Sequence, residues 1–141
     1  MDESLLAAYR ATEYRVRLGG GGWASIRVDQ PLPAPLQQAV GNRPWGFITA
    51  WNPRSQPQSR TANRCTLRQL LGALRGQPET IAVHAAIGVG GDGWKEPSLF
   101  VIGPAPDVLD DLAERYGQNA YVHGHGQARA QLRLLPHPGE R

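Results

Sequence analysis

The densest group of chemistry-bearing side chains lies in AWNPRSQPQSRTANRC, residues 50–65. Arg54, Arg60 and Arg64 fall within it, and no aspartate or glutamate does. Guanidinium groups make paired hydrogen bonds to phosphate and carboxylate oxygens. The segment reads as a strand end, a polar loop and a helix start, where free N–H groups also favour an anion. A cation in a first helical turn opposes the helix dipole at about 0.3–1 kcal/mol. Like charges four residues apart, as in Arg60/Arg64 and Arg64/Arg68, add about 0.2–0.5 kcal/mol per pair. A bound anion reverses both signs, and so does an internal acid. Asn52, Ser59 and Asn63 suit the anion reading as orienting groups, with Trp51 or Trp94 as an apolar wall. The same asparagines and serine suit a plain turn brace and helix cap.

A second group sits in GDGWKEPS, which gathers Asp92, Trp94, Lys95, Glu96 and Ser98 around a turn. Lysine beside a carboxylate supports proton transfer if both enter a cleft from which an indole excludes water. The alternative is a loop with a packed tryptophan and solvated charges. As the opposite rim of the arginine crevice, Glu96 would neutralise Arg60 without any ligand. Cys65, beside Arg64 in a first helical turn, points away from the leucine stripe and lacks a base at a telling spacing. His123 and His125 alternate on a strand but have no third ligand nearby, so no metal is expected. His84 lies within an apolar strand and His137 in the tail. No phosphate loop, dinucleotide fingerprint, hydrolase elbow or zinc-finger spacing occurs, and no cofactor is expected.

Such groups need a scaffold, and 141 residues suffice for one domain with one sizeable core between two layers. A 40% hydrophobic fraction with 17 glycines and 12 prolines points to a folded chain rich in turns. One cysteine excludes an internal disulfide. No apolar run approaches the roughly 20 residues that span a membrane. The start MDESLLAAYR is acidic before its apolar patch, unlike a secretory signal, so a cytoplasmic location is expected. The net charge of +3 conceals a segregation: residues 41–75 hold six arginines and no acid, while residues 105–114 hold four acids and no base.

Periodicity supplies the elements. SLLAAYRAT reads as a short helix with Ser4 as its cap, and YRVRL and WASIRV as a hairpin about Gly19–Gly22. PLPAPLQQAVG permits a helix ended by Gly41. WGFITAWN is a central strand; a helix then runs from Ser59 or Thr61 to about Arg75, with Leu67, Leu70, Leu71 and Leu74 as its core stripe. Extending that stripe backward turns Asn63 and Arg60 towards the sheet. TIAVHAAIG and SLFVIG are strands about a glycine-rich turn. PAPDVLDDLAERYG is an acidic helix, and NAYVHG and ARAQLRLL are the final strands. The order α-β-β-α-β-α-β-β-α-β-β predicts one α/β domain over residues 1–135, a mixed and largely antiparallel sheet packed against helices, with a frayed tail over 136–141.

Four of these segments, AYRATEYRV, FITAWNPRSQPQSRTANR, WKEPSLFVIG and LAERYGQNAYV, together resemble the bacterial domain-of-unknown-function family numbered 3293, over most of residues 5–123. The resemblance implies a small bacterial domain and brings no activity, ligand or catalytic residue with it. The leading expectation from the residues is therefore non-catalytic binding of a small phosphate- or carboxylate-bearing molecule. Arg54, Arg60 and Arg64 would supply charge, and Asn52, Ser59 and Asn63 orientation. Trp94, Lys95 and Glu96 would form the facing rim. The rivals are an enzyme using Asp92, Lys95 or Glu96 on an anionic substrate, a nucleic-acid-binding module, and a protein-interaction domain. Nucleic acid ranks below a small anion, because no aromatic residues interleave with the basic stripe. No membrane partner is expected, and the sequence indicates no particular protein partner.

Overall fold

The computed structural model describes residues 2–136. Of the tail expected over 136–141, residues 137–141, His137 included, lie outside the described residues. Four α-helices and seven strands follow the order expected from periodicity: α1 (Glu3–Ala11), β1 (Glu13–Arg17), β2 (Trp23–Ile26), α2 (Ala34–Val40), β3 (Pro44–Ile48), α3 (Arg60–Arg75), β4 (Ala82–Val89), β5 (Lys95–Ile102), α4 (Pro106–Arg115), β6 (Ala120–His125) and β7 (Gln131–Leu134). A single 3-10 turn, Pro53–Ser55, follows β3. The strands form one sheet in the order β2-β1-β4-β5-β3-β6-β7. All six neighbouring pairs are antiparallel, so the character set by the hairpins runs through the whole sheet.

Both faces of this sheet are covered, which is why its central strands are apolar on both sides. On β5, Phe100 and Ile102 join one core with Trp45, Phe47, Leu36 and Val40, beneath α2. Leu99 and Val101 join the other, with Leu70 and Leu74 of α3 and Leu109 and Leu112 of α4. Each fully buried side chain of this size contributes about 1.5–3 kcal/mol by leaving water. The leucine stripe of α3 holds: Leu70 and Leu74 are fully buried and Leu67 and Leu71 pack beside them. Its continuation stops one turn short of the expectation. Asn63 is 2% exposed, but Arg60 is exposed.

Two boundaries differ from the sequence reading. The cap of α1 is Asp2, whose carboxylate accepts the Ser4 N–H at 2.7 Å, with Ser4 inside the helix. Strand β5 starts at Lys95 and not at Ser98. Pairing of Val89 with Lys95 and Gly88 with Glu96 extends the ladder into the stretch read as a turn. That extension matters, because successive residues of a strand point to opposite faces.

Candidate functional site

The segment after β3 is held by an amide lock. Asn63 Oδ1 accepts the Asn52 N–H at 2.8 Å, and Asn63 Nδ2 donates to Asn52 Oδ1 at 2.8 Å. Asn52 Oδ1 also accepts the Gln58 N–H at 3.2 Å. Ser59 caps α3 by accepting the Ala62 N–H at 3.1 Å. Within this frame three non-glycine residues, Asn52, Arg54 and Ser55, adopt φ of 45°, 59° and 60°. Left-handed backbone at such residues costs about 1–3 kcal/mol each and persists only where surroundings enforce it. Here the Arg54 N–H donates to Gly117 O at 2.6 Å. Gly117 itself has φ +68°, and a Cβ on it would lie 2.9 Å from Pro53 Cβ. Glycine therefore lets the turn before β6 approach the 52–55 turn.

These turns meet α1 and the β4–β5 turn at one end of the sheet and enclose a cleft of about 310 Å³. Tyr9 and Thr12 come from α1 and its end, Asn52 and Ser55 from the strained turn, Trp94 from the β4–β5 turn, Glu96 from the start of β5, and Gln118 and Asn119 from the turn before β6. Leu5, Ala8 and the Trp94 indole give it apolar walls. Asn119, 4% exposed, donates through Nδ2 to Ser55 Oγ at 3.1 Å, while its Oδ1 is buried with no hydrogen-bond partner. Buried amide oxygens are ordinarily paired, so this one is exceptional. The Tyr9 hydroxyl interacts with the side chains of Ser55 and Asn119 and feels the Glu96 carboxyl. Burial raises the Tyr9 phenol above its ordinary range, and burial likewise raises Tyr14, whose hydroxyl donates to Tyr9 O at 2.6 Å.

Glu96 has no hydrogen-bond or ion-pair partner for its carboxyl among the described residues. Burial alone pushes its pKa up to about 8, because a desolvated carboxylate without a counter-charge is disfavoured. At neutral pH Glu96 is thus mostly a carboxylic acid, able to donate and to accept a hydrogen bond. The same group can deliver or take a proton near neutrality, the range in which acid–base catalysts operate.

The opposite face of the same sheet end is different in kind. Arg60 and Arg64 of α3, Lys95 of β5 and Trp51 line an open groove of about 410 Å³, with Leu67, Ile87 and Pro97 as its apolar floor. Arg60 and Arg64 have no hydrogen-bond or ion-pair partner among the described residues. The acidic helix turns elsewhere: Asp110 makes a two-pronged contact with Arg133, at 2.6 Å for each prong, which holds its carboxyl below the usual range.

The structure therefore divides the residues expected to form one site. Asn52, Trp94 and Glu96 line the cleft; Arg60, Arg64 and Lys95 line the groove. Arg54 belongs to the strained turn, Asn63 is spent on the amide lock, and Ser59 caps the helix. Glu96 cannot be the neutralising partner of Arg60, since the sheet separates them. Cys65 is exposed. Sequence reasoning missed Tyr9, Thr12, Ser55, Gln118 and Asn119 as site residues. A signal for them was present: each of the four segments that carry the family resemblance contributes a lining residue to the cleft.

The chain belongs to the family described as a protein of unknown function, DUF3293, which matches residues 48–121. Every cleft residue outside α1 and Thr12 lies in that span, and so do Arg60, Arg64 and Lys95. No curated protein and no solved structure matches the chain. No helix among the described residues is long and apolar enough to cross a membrane.

Proposed function

We propose that this DUF3293 member binds a small organic molecule in the cleft between α1 and the start of β5. The observation that carries the reading is the unpaired Glu96 carboxyl in this cleft, whose lining also includes Asn119 with its buried, unpartnered Oδ1. Leaving such groups unpaired costs about 1–3 kcal/mol apiece, and a ligand that bonds them recovers that energy. Enforced left-handed backbone at Asn52, Arg54 and Ser55 supports the same assignment, since strain of this kind gathers at ligand sites. The cleft is of the size and largely apolar character of small-molecule sites.

The reading is tested by a fragment screen on the full chain, followed through backbone amide shifts. Hits are expected to move Tyr9, Trp94, Glu96 and Asn119 together, and Trp94→Ala is expected to weaken them at least tenfold. Fragments that bind only elsewhere overturn it.

A second reading rests on its own observation: three cations, all without a hydrogen-bond or ion-pair partner among the described residues, share a groove with an indole and with no acid among its described lining residues. That groove is the form in which a phosphate or carboxylate site at Arg60 and Arg64 survives, with Lys95 in place of Arg54. Pyrophosphate titration of the wild type and Arg60→Ala decides it. Binding lost in the variant supports an anion site there, and indistinguishable affinities reject it.

A further inference from the structure

The walls of the cleft specify the charge of its ligand. Among the described residues no lysine, arginine or histidine lines it, so an anion would find no counter-charge there. Two acids do: Asp92 at the rim, and Glu96 within. The buried Asn119 Oδ1 calls for a hydrogen-bond donor, because an amide oxygen only accepts. The Trp94 indole, 41% exposed, lies at the same opening, and an aromatic face attracts a cation.

We propose that the cleft receives a small organic primary ammonium ion, with N–H groups bonded to Glu96 and to Asn119 Oδ1 and its apolar body against Trp94 and Leu5. This rests on the reading of the cleft as a ligand site and adds the class of ligand. An ammonium group brings three donors, so the Tyr9 hydroxyl can accept the third.

Binding is coupled to a proton. Among the described residues, the titratable groups facing Glu96 are Tyr9 from α1, Tyr14 from β1 and Asp92 from the β4–β5 turn, none of them cationic, while Tyr121 of β6 turns to α4 on the other face. Lys95 points to the other face of the sheet. Nothing in the free cleft replaces the ammonium as counter-charge. Its arrival therefore releases the Glu96 proton to solvent and converts the carboxylic acid to a carboxylate–ammonium pair. Only the ionised fraction of Glu96 is competent. With its pKa at about 8, that fraction, and so the apparent affinity, rises about tenfold from pH 6 to pH 7.

Three probes of similar shape separate the alternatives: phenethylamine, neutral 2-phenylethanol and anionic 3-phenylpropionate. Each is titrated into the full chain while the amides of Trp94, Glu96 and Asn119 are followed. Phenethylamine is expected to bind tightest, to tighten about tenfold between pH 6 and pH 7, and to release a proton into the buffer. Glu96→Gln, a neutral isostere of the form that predominates at pH 7, is expected to fold normally. It should abolish both the pH dependence and the preference for the amine over the alcohol. Equal or better binding of the alcohol or the carboxylate overturns the ligand class while leaving the cleft as a site. Absence of cleft shifts with all three overturns the class and the site together.

Discussion

Two neighbouring residues of one strand, Lys95 and Glu96, open onto two unlike regions. On the face of Lys95 the charges of Arg60, Arg64 and the lysine itself stay hydrated in an open groove. On the face of Glu96 a single carboxyl is enclosed by α1, Trp94 and the turn before β6. Charge density is greater in the groove, yet the larger electrostatic consequence lies in the cleft. Solvent screens exposed cations and leaves each pairwise term at tenths of a kcal/mol. Burial without a partner acts on one group undiluted. Counting charges along a sequence therefore points to the groove, whereas the degree of enclosure points to the cleft, where a single group is perturbed most.

The contrast breaks most readily at Glu96. Below pH 4.5, its ordinary value, folded and unfolded chains both hold the proton. From there to about 8 the unfolded chain sheds it and the folded chain keeps it. Stability contributed by the neutral form is thus complete below pH 4.5 and lost as pH rises through about 8. At about 1.4 kcal/mol per unit of pKa difference, reduced by the partial hydration of the cleft, the loss is about 2–4 kcal/mol. Urea unfolding of the wild type at pH 5 and pH 9 should show this decline, and Glu96→Gln should remove most of it. An unchanged slope in the variant would assign it elsewhere and erase the distinction between the two faces.

A smaller effect is expected at Asn63, which belongs to neither region and braces both. Asn63→Ala leaves the Asn52 N–H and the Asn52 side-chain oxygen short of partners. Such losses cost about 1–3 kcal/mol, and the strained turn at 52–55 should relax with them. The expected result is a lower urea midpoint together with faster amide exchange from Asn52 to Gln58. A lower midpoint with exchange unaltered would detach the lock from the cleft.

The smallest effect belongs to the groove. Arg60→Glu turns an unfavourable charge at the start of α3 into a favourable one and replaces an i,i+4 repulsion by an attraction. Together these should stabilise the chain by about 0.5–1 kcal/mol at low salt, fading in high salt. A destabilised variant would show that Arg60 has a structural partner after all and would bring the groove closer in kind to the cleft.

Much of the fold was legible because periodic patterns are local. The apolar alternation of TIAVHAAIG and the leucines of α3 identify their elements without tertiary information. The limits of those patterns are instructive. The wheel that turned Asn63 inward also turned Arg60 inward, but the first turn of α3 reaches past the cover of the sheet and leaves Arg60 in water. WKEP carried turn residues at its flank and read as loop, although cross-strand pairing with Val89 and Gly88 makes its last three residues, from Lys95, strand. That single boundary separated Lys95 from Glu96. Beyond lying in segments that carry the family resemblance, Tyr9 and Asn119 left no trace in periodicity or charge, for they come from opposite ends of the chain and acquire a role only through one another.

The sequence by itself determined the order of helices and strands, the antiparallel habit of the hairpins, and which leucines of α3 turn inward. Each follows from interactions within one element or between neighbours in the chain. Only the tertiary structure decided that α1 and the Gly117–Asn119 turn close over Glu96, and that the arginines lie on the far side of the sheet. Strand alternation restricts a side chain to one of two faces, but what covers that face depends on loops closed between distant segments. Burial, and with it the protonation of Glu96, exists only once they have closed.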